Sequence, residues 1–300
     1  MICFFNQIAE KARALKPKVI AVACAEDPDV LKAVKKCGEF MPVSGILVGS
    51  RKKMEPLLES MDMNLSTVEV VDEEDSRKAV STAVDLVWQG RAQMLMKGLV
   101  STKDFLKGIV SGDKALTGGN LLSHVAVFEV PGREKLLLVS DAAMNLSPDV
   151  SMKYAILKNS LKAAGCLGIK NPKVAVLSAV EAVNPAIPST VDAAVLSKMA
   201  QRDNLEAVVD GPLALDVAVS GEALDHKGIM SPVRGDADIL LVPDLVSGNI
   251  LYKSLVYFAR AKAAGVVVGA RVPVVLTSRA DSYESKIYSI AMGMLMGEDN

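Results

Sequence analysis

Three residues, Lys97, Ser278 and Arg279, occupy positions that ask for a chemical explanation. Lys97-Gly98 closes the apolar run of "AQMLMKGLVSTKDF" and precedes a helix-like stretch that also offers Ser101 and Thr102. Ser278-Arg279 closes the run Val272–Leu276 of "VPVVLTSRADSYESK" in the same manner. Serine, aspartate or asparagine ahead of a helix is an ordinary N-cap. A cation there opposes the helix macrodipole unless an anion lies between them. The two cationic strand ends therefore point to a bound anion, phosphate or carboxylate. Polar groups recur at comparable places: Asp141 and Asn145 in "LLLVSDAAMNLSPD", Asp210 in "AVVDGPLALD", and Asp244, Ser247, Gly248, Asn249 and Lys253 in "ILLVPDLVSGNILYK". In open α/β sheets, ligands collect at this end of the strands.

Other chemistries lack their residues. The sequence has no Walker loop, no G-x-G-x-x-G after a strand and no G-x-S-x-G elbow. His124 and His226 are the only histidines, too few for a histidine-rich metal centre. Asp210 and Asp216 could share a magnesium ion, although turn and capping roles suit them better. A metal-dependent hydroxyacid dehydrogenase using Asp210, Asp216 and Asp244 is the rival enzyme class, and a two-lobed anion-binding protein is the non-enzymatic rival. The formal net charge is −1, with both signs mixed along the chain, which leaves no footprint for nucleic acid. Cys3, Cys24, Cys37 and Cys166 show no C-x-x-C spacing. They read as small buried hydrophobes of a reduced, cytoplasmic protein. No uncharged stretch reaches the roughly 18–20 residues that span a bilayer, so no membrane partner is expected.

These groups need strands and helices to hold them. At 300 residues, half of them apolar, the chain suits two globular domains. Strand-like runs cover Lys18–Ala25, Gly45–Val48, Thr67–Val71, Ala92–Met96, Val125–Val130, Lys135–Val139, Lys173–Leu177, Glu206–Val209, Ala237–Val242 and Val272–Leu276. Several are continuous in Val, Ile and Leu, as strands buried on both faces should be. Helical stretches lie between them at Asp29–Cys37, Ser76–Gln89, Ser151–Ala164, Thr190–Gln201 and Asn249–Ala264. A last helix follows Ser282, with Ile287, Ile290, Ala291, Met294 and Leu295 on one face. The alternation predicts an α/β fold with mainly parallel sheets. Pro131-Gly132-Arg133-Glu134 interrupts it as a hairpin turn. The first domain is placed at residues 1–130 with 270–300, and the second at 135–265.

The motifs also resemble a known family. "VVDGPLALDVAV", "MSPVRGDADILLVPDLVSGNILYKSL" and "VLTSRADS", with "MKGLVST" and "VSDAAMNLSPD" upstream, resemble the phosphate acyltransferases, the phosphotransacetylases and phosphotransbutyrylases. The resemblance runs from about residue 90 to the C-terminus. It implies two α/β/α domains with an active site in the cleft between them, and a homodimer or higher homo-oligomer. It implies acyl transfer between coenzyme A and inorganic phosphate, with acyl-CoA, phosphate and acyl phosphate as small-molecule substrates. No bound cofactor, metal or covalent acyl-enzyme is expected. Ser278 takes the role of transition-state stabiliser and Arg279 that of phosphate ligand. The family's base is an aspartate a few residues on, but the position seven after Ser278 is Ser285. Asp281 is the preferred substitute, with Glu284 as the alternative. Lys97, Gly98, Ser101, Thr102, Asp141, Asn145, Asp244, Gly248, Asn249 and Lys253 are expected to bind substrate. Ala142 stands where some acetyl-specific relatives carry a cysteine, so a nucleophilic thiol is excluded there. "SHVAVFEVPG" and "LTSRADS" look more like phosphotransbutyrylases, which favours butyryl over acetyl.

Overall fold

The computed structural model of the chain describes residues 1–63, 68–111, 115–277 and 281–297. Ser278 and Arg279 lie outside the described residues, as does Thr67 at the head of one expected strand. The described chain falls into two compact units. One, called here the N-terminal unit, is Phe5–Asn120 with Ala264–Asn300; the middle unit is Met1–Phe4 with Leu121–Ala263.

The N-terminal unit starts with helix α1 (Phe5–Arg13) and continues as strand–helix pairs: β1 (Lys18–Ala23), α2 (Pro28–Phe40), β2 (Val43–Gly49), α3 (Arg51–Ser60), β3 (Val68–Asp72), α4 (Ser76–Trp88), β4 (Met94–Lys97) and α5 (Thr102–Val110). Helix α2 shows why such a segment is helical. Asp27 caps it by accepting from Asp29 N and Val30 N, Pro28 fits its first turn, and Val30, Leu31, Val34 and Cys37 form its buried stripe. β1 is flanked by β2 and β4, both parallel to it, and β3 extends the sheet beyond β2, also in parallel.

The middle unit opens with the expected hairpin. β5 (Ser123–Glu129) runs antiparallel to β6 (Leu137–Ser140), with Val125 opposite Ser140 and Phe128 opposite Leu137. There follow α6 (Val150–Cys166), β7 (Lys173–Leu177), α7 (Pro188–Arg202), β8 (Val208–Leu213), α8 (Leu215–Val219), α9 (Gly221–His226), β9 (Ile239–Leu241) and α10 (Leu245–Tyr257). Strands β6, β9, β7 and β8 are successive parallel neighbours.

The chain then passes through β10 (Lys262–Val268) and β11 (Val274–Val275) to α11 (Tyr283–Met296). Here the sequence expectation needs correction. The helix read as Asn249–Ala264 is α10, four residues earlier at its start and ending at Tyr257, and Lys262–Val268 is a strand. Arg260, at φ 57°, separates the two, and a left-handed arginine carries no sequence signal. The Ala-Ala-Gly-Val run is buried almost throughout, so it shows neither an alternating nor a helical pattern. β11 pairs antiparallel with β10 and parallel with β4, Val274 beside Leu95 and Val275 beside Met96. α11 packs on α1 and α2, and Ile287, Ile290, Ala291, Met294 and Leu295 are all buried, as their spacing predicts. Each of the larger side chains among these contributes about 1.5–3 kcal/mol on burial. The α/β class with mainly parallel sheets is what the structure shows. No helix among the described residues is long and apolar enough to cross a membrane.

Candidate active site

In the N-terminal unit the β4–α5 connection is built tightly. Lys97 is buried and its ammonium folds back on the loop, donating to the carbonyls of Gly98 at 3.2 Å and Val100 at 3.3 Å. Gly98 touches the end of β1: a Cβ there would lie 2.2 Å from the carbonyl oxygen of Cys24. Backbone cannot move aside for a methyl group, so the glycine is required by close approach. Ser101 caps α5, accepting from Asp104 N at 3.0 Å and donating to Asp104 Oδ2 at 2.7 Å, and Thr102 is the first helical residue.

The neighbouring strand ends differ in charge. Glu26 Oε1 accepts from Ser50 N at 2.7 Å, and Asp72 Oδ1 accepts from Arg51 N at 2.8 Å, which fills the start of α3 with two carboxylates. Asp27 occupies the start of α2 and Asp75 that of α4. A substrate anion would be repelled at all three. By contrast, the caps of α5 and α11 are the neutral hydroxyls of Ser101 and Ser282, with Asp104 and Glu284 as the first-turn acids. The β4/β11 register puts those two helix starts after neighbouring parallel strands. Leu276 and Thr277 follow the end of β11 and precede Ser278-Arg279 in the chain.

Asp281 is half-buried, and its backbone carbonyl accepts from Lys286 Nζ at 2.8 Å. Burial raises the Glu284 carboxyl, but bonds from its own N–H, Ser282 and Tyr283 outweigh this and hold it below its usual value. A carboxylate so stabilised is a weaker base than an unperturbed one. The Cys24 thiol, at the end of β1, is pushed up to about 12, first by burial and next by Glu26, against a smaller opposing effect of Lys97. It stays protonated at neutral pH, so no thiolate nucleophile stands at this strand end.

In the middle unit, β6 and β9 end side by side, Ser140 beside Leu241. Asp141 is 2% exposed and spends both oxygens on its own loop. Oδ1 accepts from Ala143 N at 2.9 Å and Met144 N at 3.1 Å; Oδ2 accepts from Asn145 N at 3.3 Å and Asn145 Nδ2 at 2.5 Å. Asn145 Nδ2 also donates to the Leu122 carbonyl at 3.0 Å. Asp244 caps α10, accepting from Ser247 N at 2.8 Å. Gly248 lets this helix close on the Asp141 loop, since a Cβ there would lie 2.7 Å from Asp141 O. Asn249 Nδ2 stands 3.5 Å from the Ala142 carbonyl. The structure thus brings Asp141, Asn145, Gly248 and Asn249 together, with Asp244 at the adjacent helix start. Lys253 lies apart from them in its described contacts, with its ammonium 5.8 Å and 6.0 Å from the ring centres of Tyr252 and Tyr257.

Asp210 accepts from Ser231 Oγ at 2.6 Å, whereas Asp216 pairs with Lys227 at 2.8 Å. Among the described residues no group of three or more His, Cys, Asp or Glu could hold a metal ion. Sequence reasoning passed over Glu26 and Asp72, whose bonds join segments far apart in the chain. It also passed over Lys286. A signal existed there, because position 286 falls four before Ile290 on the apolar face of α11.

Comparison with known proteins adds an independent view. The family model described as Phosphate acetyl/butaryl transferase matches residues 73–294. Phosphate butyryltransferase of Clostridium acetobutylicum is 45% identical over 297 residues, covering 99% of this chain and 99% of its own. Phosphate acetyltransferase of Thermotoga maritima is 41% identical over 293 residues, covering 96% of this chain and 98% of its own. The crystal structure of a branched-chain phosphotransacylase from Enterococcus faecalis V583 superposes with a TM-score of 0.84 at 38% identity, covering 93% of this chain and 99% of that one.

Proposed function

The chain belongs to the phosphate acetyl/butyryl transferase family, and from that premise we propose that butyryl is its preferred acyl group and that Ser278, Arg279 and Asp281 carry the reaction. It is an acyltransferase between coenzyme A and phosphate, and coenzyme A enters as a substrate. In one direction the CoA thiolate attacks the carbonyl carbon of the acyl phosphate, the new C–S bond forms, and phosphate departs with the electrons of the broken C–O bond. The reverse is attack by a phosphate oxygen on the thioester, with the CoA thiolate as leaving group.

This chemistry asks for a base to take the thiol proton, donors for the developing oxyanion, and cations for the phosphate. Ser278 supplies a hydroxyl for the oxyanion, Arg279 a planar fork for phosphate, and Asp281 the carboxylate for the thiol. The observation that carries this assignment is the parallel β4/β11 pairing, which puts Lys97 and the segment leading to Ser278 at the ends of neighbouring strands, each followed by a serine-capped helix. The bonding of Asp141, Asn145, Gly248 and Asn249 supports a second role, that of a rigid loop–helix corner presenting Asn249 and Lys253 to substrate.

The testing experiment is phosphate-dependent CoA release from an acyl series, read with a thiol reagent. Butyryl-CoA is expected to turn over with the highest kcat/KM, ahead of propionyl-CoA and acetyl-CoA. No release from any of the three at millimolar phosphate would falsify the assignment, and an acetyl optimum would move the chain to the acetyl branch.

A cytoplasmic homodimer is the assembly we assign to this enzyme. Val246, Ile250 and Tyr257 are 60%, 61% and 54% exposed along α10, and Phe258 beyond its end is 88% exposed. Such a stripe is costly to leave in water. Ile250→Lys is expected to convert the dimer to monomer in light scattering at micromolar protein. A dimer unaffected by the lysine would place the interface elsewhere.

A further inference from the structure

In the middle unit, the end of α6 and the segments entering β7 and β8 surround a hollow of about 880 Å³, within the size range of small-molecule sites. It lies where the chain enters these parallel strands, at the other end of the unit's sheet from the Asp141 corner, which follows the exit of β6. Leu161, Ile169, Pro172 and Leu205 give it an aliphatic lining, and no aromatic residue takes part. Two glycines keep it open. A Cβ at Gly165 would meet no atom within 4 Å, and Gly168, at φ 73°, takes the left-handed turn that ends α6.

Lys158, Lys162 and Lys170 line the same hollow, against one carboxylate, Glu206. All three lysines are exposed, and no carboxylate among the described residues lies within ion-pair distance of any of them. The lysines are not needed as caps. The last carbonyls of α6 already accept from the backbone: Ala163 from Leu167 N at 3.4 Å, Ala164 from Ile169 N at 3.0 Å and Gly165 from Gly168 N at 2.8 Å. Lys158 and Lys162, four apart on one helix face, repel each other unless an anion joins them. Lys158 is held 4.9 Å over the centre of the Tyr154 ring, which leaves Lys162 and Lys170 to a ligand.

We propose that this hollow is a binding site for a linear aliphatic carboxylate, a medium-chain fatty acid, with its chain on the Leu161–Ile169–Leu205 surface and its head between Lys162 and Lys170. An aliphatic lining suits a saturated chain and gives a nucleobase nothing to stack on. The excess of lysine over carboxylate suits one anionic head. The site is separate from the Asp141 corner and does not depend on the acyl group assigned to the transfer reaction.

Isothermal calorimetry of the full chain with hexanoate, octanoate and decanoate tests the site. Decanoate is expected to bind most tightly, with Kd falling about fourfold for each CH2 buried. 1-Octanol, which keeps the chain and lacks the charge, binds at least about tenfold more weakly than octanoate, and the double variant Lys162→Gln/Lys170→Gln loses the same factor for octanoate. Gly165→Leu fills the hollow with a side chain whose Cβ meets nothing. It abolishes binding and leaves phosphate-dependent CoA release at the parent rate. No heat with any of the three acids at millimolar concentration overturns the site, as does parent-like decanoate binding by Gly165→Leu. Equal binding of 1-octanol and octanoate overturns the carboxylate. Displacement of decanoate by saturating butyryl-CoA assigns the acid to the catalytic site and overturns the proposal. A parent that releases no CoA, yet binds decanoate in a manner lost with Gly165→Leu, keeps this site and overturns the acyltransfer reading alone.

Discussion

Arg279→Ala is expected to raise the KM for phosphate by at least about a hundredfold while the KM for butyryl-CoA stays within about twofold, since a guanidinium–phosphate fork supplies two charge-assisted bonds of roughly 1.5–3 kcal/mol each. Arg279 lies outside the described residues, so the expectation rests on its neighbours. Helices α2 and α4 in its unit are capped by Asp27 and Asp75, and the first N–H groups of α3 are taken by Glu26 and Asp72, whereas the caps of α5 and α11 are the serines Ser101 and Ser282. Lysine is the informative control. Arg279→Lys keeps the charge but loses the planar fork, and should fall between the two, about tenfold above the parent. Initial rates at saturating butyryl-CoA, with phosphate varied, give all three values. A normal phosphate KM in Arg279→Ala would remove the arginine from the phosphate site and leave the cationic role to Lys97.

Legibility in the sequence followed the range of the interactions involved. The face of α11 was readable because Ile287, Ile290 and Met294 repeat at the helical period, and tertiary packing then buried what the pattern exposed. The hairpin between β5 and β6 was readable because Pro131-Gly132 breaks two apolar runs locally. The strand β10 was not, since an Ala-Gly-Val run buried along its whole length has no period to detect. The site divides the same way. Lys97 and the S-R pair stood out as cations where helix dipoles disfavour them. The carboxylates that close the other strand ends did not, because Glu26 meets Ser50 and Asp72 meets Arg51 only after the sheet has formed. Lys286 was legible in type and position, yet only its burial separates it from a lysine that extends its head to solvent.

Asp141→Ala is expected to destabilise the protein by about 3 kcal/mol, because it strips the acceptor from Ala143 N, Met144 N and Asn145 N, each orphaned donor costing roughly 1 kcal/mol at the low end, while Asn145 Nδ2 keeps the Leu122 carbonyl. At about 2–4 °C per kcal/mol for a protein of this size, the melting temperature should fall by about 6–12 °C. The asparagine variant decides what the carboxylate is for. Asp141→Asn leaves one oxygen to accept from Ala143 and Met144, but its amide meets the donors of Asn145, so two N–H groups face each other. If the carboxylate holds the loop, Asp141→Asn loses stability nearly as Asp141→Ala does. Asn145→Ala then reproduces part of that loss, since it empties the same oxygen. If the carboxylate instead acts on substrate, Asp141→Asn keeps its melting temperature and loses kcat alone. Both oxygens are already engaged, and Gly248 brings α10 against the Asp141 carbonyl, closer than any side chain would permit. Coupled loss of stability and rate is therefore the expected result. A variant that melts normally and turns over slowly would sink the loop-holding role and return Asp141 to direct contact with substrate.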